Sequence, residues 1–243
     1  MRLESSLILS LVLSVCTIFP SPSFGQSSPP KIGVGAKVST LGIGIEGALA
    51  VTQRSNVRVG FNAYNYSRNY GKDGVNYDAG LDLRSLQITY DQYLIGPLHV
   101  SPGVLAYNGN RVNASASVPA GRSFTLGGTR YYSGQTNPIN GTATLSLGKA
   151  APMILLGVGN LVPRSGRHFG INFDAGGVFE GSPATKLNFT GTACVISPTA
   201  GCLNAGTDPT VQSNVQSEQN KLNNDLKPFK YYPVLSLGAS WKW

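Results

Sequence analysis

From Phe229 to Trp243 the chain alternates in character. Odd positions carry Phe229, Tyr231, Pro233, Leu235, Leu237, Ala239, Trp241 and Trp243. Even positions carry Lys230, Tyr232, Val234, Ser236, Gly238, Ser240 and Lys242. Successive side chains on a strand face opposite ways, so this stretch reads as a strand with one apolar, aromatic face and one mostly small or polar face. The same period recurs upstream. Ile32, Val34, Ala36 and Val38 alternate with Gly33, Gly35, Lys37 and Ser39. After Ser39-Thr40 the parity flips to Leu41, Ile43, Ile45, Leu49 and Val51, which signals a tight turn or a bulge. Val57, Val59, Phe61 and Ala63 face away from Arg58, Gly60 and Asn62. Leu81 and Leu83 oppose Asp82 and Arg84, and a parity slip then hands the apolar side to Leu86, Ile88 and Tyr90.

Continued to the end, the pattern predicts an all-β, antiparallel chain of about eight strands, near 31–39, 41–51, 56–68, 79–93, 97–110, 141–161, 168–181 and 229–243. The first pair would be one bulged strand if Ser39-Thr40 is not a turn. Short connections at 52–56, 94–97 and 162–167 alternate with long ones at 69–80, 108–141 and 182–228. Inside the long ones, Gly127-Gly128 marks a small hairpin within 123–131. Asp208-Pro209 starts a helix ending at Lys227-Pro228, with Val211, Val215, Leu222 and Leu226 on one stripe.

Residues 7–19 form an apolar run followed by the small-x-small site Ser23-Phe-Gly25, so residues 1–25 read as a secretory signal peptide and residues 26–243 as one domain. The chain carries 19 basic and 11 acidic residues, net +8. Export argues against nucleic acid as the partner and leaves solvated charge or anionic lipid head groups. Cys194 and Cys202 remain after the leader is removed. An oxidising compartment favours a disulfide between them, and a metal site would need further ligands nearby. No cofactor is expected.

The terminal strand resembles the last strand of bacterial outer-membrane barrels, which closes on an aromatic residue. Thr40–Gly44, the stretch 151–160, the stretch 173–183 and the stretch 232–241 extend that resemblance to small Gram-negative barrels, OmpW-like and OmpA-like. It implies a transmembrane β-barrel in the outer membrane, with Trp241 and Trp243 as a signal for the barrel assembly machinery. It carries no functional site residues. A soluble lipocalin-like barrel is the rival fold, but it would put its apolar residues inside.

The polar faces place Glu46, Arg58, Asp82, Arg84, Asp91, Asp174 and Glu180 in the lumen as charge pairs. They imply a structural plug or a narrow path for passive transport of small solutes. Adhesion through the long loops is the alternative. An enzyme is not expected, because His99 and His168 adjoin short turns and no Gly-x-Ser-x-Gly or His-Glu-x-x-His run occurs. Arg68, Arg111 and Arg130, in or beside the long connections, are candidate contacts to lipopolysaccharide phosphates.

Overall fold

The computed structural model describes residues 31–72, 75–164 and 166–243. The leader assigned to residues 1–25 lies outside the described residues. No helix among them is long and apolar enough to cross a membrane, which says nothing of strands.

Fifteen strands and one helix are described: β1 (Ile32–Ser39), β2 (Gly42–Thr52), β3 (Ser55–Lys72), β4 (Val75–Ile95), β5 (Leu98–Asn108), β6 (Arg111–Ser117), β7 (Ser123–Leu126), β8 (Thr129–Ser133), β9 (Asn140–Ser146), β10 (Ala151–Gly159), β11 (Phe169–Phe179), β12 (Ala184–Thr190), β13 (Thr192–Ser197), β14 (Ala200–Asn204), α1 (Pro209–Leu226) and β15 (Tyr231–Lys242). The expected count of about eight is therefore too low. Eight of the strands nevertheless pair in a circuit. It runs β4–β3–β2–β1–β15–β11–β10–β5, all antiparallel, and the pairing of β5 with the second half of β4 returns to the start.

The first hairpin is a true hairpin, since Ser39 pairs with Gly42 around Thr40-Leu41. The slip expected near Arg84 is absent. Pairing of β3 with β4 runs without a break from Ser55↔Gln92 to Lys72↔Val75. Leu83, Ser85, Gln87, Thr89, Asp91 and Tyr93 all point into the ring, and Arg84 faces out. The expected strand 141–161 divides in two: β9 pairs with β6 and β12, whereas β10 pairs with β5 and β11.

The segments read as loops are largely ordered strand. Beyond the ring, the first half of β4 pairs with β6, then β9, then β12, extending the wall on the side of the long connections. A separate four-stranded sheet, β7-β8-β13-β14, joins them to form a cap. Gly127 and Gly128 turn between β7 and β8 with φ of 57° and 83°, values that a two-residue hairpin turn requires. Val118, Leu126, Tyr131, Ile139, Ala193, Ala205, Val211 and Val215 form the cap's own apolar core. Asp208 caps α1, accepting from the N–H groups of Thr210 (2.9 Å) and Val211 (3.1 Å). Cys194 and Cys202 face each other across β13 and β14 and are disulfide-bonded. Leu222 and Leu226, expected on the helix's buried stripe, are only half-buried.

The ring is apolar outside and polar inside. Val38, Ile43, Ile45, Phe61, Ile154, Leu156, Ile171, Phe173, Leu235 and Leu237 are exposed on its outer face. Lys37, Glu46, Arg58, Asn62, Gln87, Asp91, His99 and Asp174 are buried within it. That inversion, set by alternation alone, positions the site.

Candidate functional site

Arg58 of β3 sits at the centre of the ring with no exposed surface. Its Nη1 lies 2.7 Å from Oδ2 of Asp174 on β11, and its Nη2 lies 2.9 Å from Oδ1 of Asp91 on β4. Glu46 of β2 approaches at 3.7 Å and pairs with Nζ of Lys37 on β1 at 3.3 Å. Ser101 and Thr89 donate to Asp91 at 2.7 and 3.2 Å, Ser236 donates to Asp174 at 3.3 Å, and Asn172 donates to Glu46 at 3.3 Å. Charges this deep persist only when paired and hydrogen-bonded. Four of the six carboxylate oxygens accept hydrogen bonds, and Glu46 Oε2 faces the Lys37 and Arg58 cations. Asp91 Oδ2 has no hydrogen-bond partner among the described residues.

His99 of β5 completes the cluster. Its Nε2 is 2.9 Å from Oδ1 of Asp174 and its Nδ1 is 3.2 Å from the carbonyl of Pro97. Both partners are acceptors, so the geometry calls for a proton on each ring nitrogen. Three cations (Lys37, Arg58, His99) then balance three carboxylates (Glu46, Asp91, Asp174). Gly157 makes room for this contact: a Cβ there would collide with both Asp174 Oδ1 and His99 Nε2.

The cluster is closed at both ends. Toward the cap, Leu41, Leu105, Ala151, Met153, Leu155, Val178 and Val234 form an apolar layer across the interior. At the short-turn end, Leu161 and Val162 fold inward against Ala48. That segment is pinned by Lys242 Nζ donating to the Pro163 carbonyl (2.8 Å) and by Arg164 Nη2 donating to the Ser55 carbonyl (2.9 Å) and to Asn56 Oδ1 (2.7 Å).

Of the residues expected in the lumen, Glu46, Arg58, Asp91 and Asp174 are brought together. Asp82 and Arg84 are not, because without the slip they share the outward parity of β4. Asp82 instead bonds Asn65, Arg111 (3.0 Å) and Asn113 (3.2 Å) on the wall's extension. Glu180 lies apart, just past β11, where Asn108 donates to it at 3.0 Å. Burial pushes its carboxyl up to about 7, against the opposing effect of that hydrogen bond. Sequence reasoning missed Lys37 and His99, although both stand at inward-facing positions of strands it found. Arg111 shares the outward parity of Asp82, Arg68 lies on the opposite face of β3, and Arg130 sits in the cap over the Tyr132 ring. Trp241 and Trp243 are exposed on the outer face, with Trp241 stacked on His168.

No protein-family model matches, and no curated protein matches. Solved structures do. The fold is similar to that of CarO. The crystal structure of Acinetobacter baumannii CarO aligns over 87% of this chain and 97% of its own, with a TM-score of 0.53 and 22% identity. That of A. baumannii CarO2 aligns over 89% and 100%, with a TM-score of 0.55 and 20% identity. At such identity the likeness to CarO is one of fold, and it gives no OmpW-like or OmpA-like subtype.

Proposed function

We propose that this chain is an integral outer-membrane β-barrel of a Gram-negative bacterium, with a sealed interior and a structural role that includes presenting the ordered cap outside. The observation that carries the reading is the outer face. Phe169 pairs with Trp241 at one end of β11, and Phe179 pairs with Tyr231 at the other. The two aromatic pairs stand ten residues apart. At about 3.4 Å per residue and a tilt of about 40°, that is a height of about 26 Å, which matches the apolar band of outer-membrane barrels. The exposed residues between them are apolar, and the fold is similar to that of Acinetobacter baumannii CarO.

Passive passage of a small solute would require both the Leu41 layer and the Leu161-Val162 segment to move. The sealed interior favours the structural role over transport. A hydrolytic role is not part of the proposal, since both nitrogens of His99 are engaged within the closed cluster and neither is left to activate a nucleophile. Contact with outer-leaflet lipopolysaccharide is proposed for Arg111, and recognition by the assembly machinery for the strand bearing Trp241 and Trp243.

Two measurements test this. Unboiled protein should migrate apart from boiled protein in detergent gels, and protein reconstituted in planar bilayers should show no conductance steps. Identical migration together with recovery in the soluble periplasmic fraction defeats the membrane reading. Regular steps defeat the seal.

A further inference from the structure

Between the two short turns Gln53-Arg54 and Gly96-Pro97 lies a hollow of about 380 Å³, floored by the inward-folded segment that closes the ring. Its walls include Gln53, Arg54, Tyr93, Ile95, Asn160 and Arg164, and no carboxylate among the described residues lines it. Neither guanidinium belongs to an ion pair among the described residues. Arg164 is half-buried and held by neutral acceptors alone, the Ser55 carbonyl and Asn56 Oδ1. Its Nε is buried and has no partner among the described residues. Burial accordingly pulls its pKa below the usual arginine value, a sign of a cation taken from water without an opposing charge. A desolvated guanidinium with a spare N–H is stabilised by an anion that accepts more than one hydrogen bond.

We propose that this hollow binds a phosphate group through Arg54 and Arg164. Phosphate fits the fork geometry of a guanidinium, and Gln53, Asn160 and the Tyr93 hydroxyl add neutral donors beside it. Leu94 and Ile95, 51% and 80% exposed, flank the hollow on the ring's outer edge. They put apolar surface next to the cations, as a phospholipid requires. The inference rests on the outer-membrane reading, which places this end at the inner leaflet. The same chemistry also admits free phosphate from the periplasm.

The test uses the full chain in detergent, titrated with inorganic phosphate and with monomeric dihexanoyl phosphatidylglycerol. Both Arg164→Gln and Arg54→Gln should weaken binding about tenfold, the loss expected for one charge-assisted contact. Arg84→Gln, on the outer face away from the hollow, should bind as wild type does. Because Arg164 also braces Ser55 and Asn56, the exposed Arg54 provides the variant that cannot fail through folding. Tighter binding of the lipid than of phosphate assigns the site to a head group, and equal binding assigns it to free phosphate. Unchanged affinity in both arginine variants, or no saturable binding of either probe, overturns the site. Gel migration of the same samples tests the barrel reading separately, so its failure is distinguishable from failure of the site.

Discussion

Arg58 Nη1 lies 2.7 Å from Asp174 Oδ2 although their strands, β3 and β11, are separated in the ring by β2, β1 and β15. The pair therefore crosses the interior and ties opposite walls. Removing one partner leaves an uncompensated buried charge, which costs about 3–5 kcal/mol. Asp174→Asn should lower the denaturant midpoint of folding into lipid vesicles accordingly. Arg58→Met combined with Asp174→Leu should cost less than the two single effects added. Additive losses would mean that the two side chains do not interact.

Leu187 donates its N–H to Gln219 Oε1 at 3.0 Å, and Thr185 donates to Asn223 Oδ1 at 2.8 Å. Gln219 and Asn223 are one turn apart on α1, so the helix covers the free edge of β12, a row of backbone groups that would otherwise template pairing with another chain. Gln219→Ala with Asn223→Ala should speed hydrogen exchange at the Leu187 and Thr185 amides and leave the ring amides unchanged. Unaltered exchange at those two positions would dismiss the covering role.

Glu180 gives the cap end of the ring a pH dependence. Its folded pKa is raised to about 7 from an ordinary 4.5 by burial. The folded state therefore holds its proton more tightly than the unfolded chain does. Stability from this group is complete below about pH 4.5 and is lost as the pH rises through about 7. The ceiling is about 3 kcal/mol, at 1.36 kcal/mol per unit. Wild type should lose stability between pH 5 and 8, and Glu180→Gln should lose less. Parallel curves for the two proteins would show that Glu180 is ionised at no cost.

The disulfide belongs to the cap. Cys194 and Cys202 are eight residues apart, so closing that loop contributes about 2–3 kcal/mol by chain entropy. Reduction should loosen β13 and β14, seen as faster exchange there, and should leave heat-modifiable migration of the ring intact. Loss of the migration shift on reduction would mean that the cap and the ring fold as one unit.

The ring was largely legible in the sequence because its alternation contrasts Val, Ile, Leu and Phe with Gly, Asn and charged residues over long runs. The cap strands were not. Arg-Val-Asn-Ala-Ser-Ala-Ser in β6 is mostly small and polar, and Ala-Thr-Lys-Leu-Asn-Phe-Thr in β12 has only Leu187 and Phe189 as large apolar residues. Hydrophobic contrast is therefore weak or short, and backbone pairing with neighbours far along the chain decides. Asp82 and Arg84 were misplaced for a related reason. Leu83 and Leu86 cannot both face outward without a slip. The structure keeps Leu83 inside instead, and the register fixed at Phe61↔Leu86 and Tyr64↔Leu83 overrides the apparent parity. His99 enters the sequence reading only through its place beside a short turn, although its inward position in β5, like that of Lys37 in β1, is available from the alternation.

On the proposed reading the outer face of the ring lies in lipid, and the chain carries its own probe of it. Trp241 and Trp243 are its only two tryptophans, and both are exposed on that face. In vesicles of lipids brominated at defined depths, their fluorescence should be quenched most by bromines near one head-group boundary and little by aqueous iodide. Strong iodide quenching with no response to bromine at any depth would contradict the account.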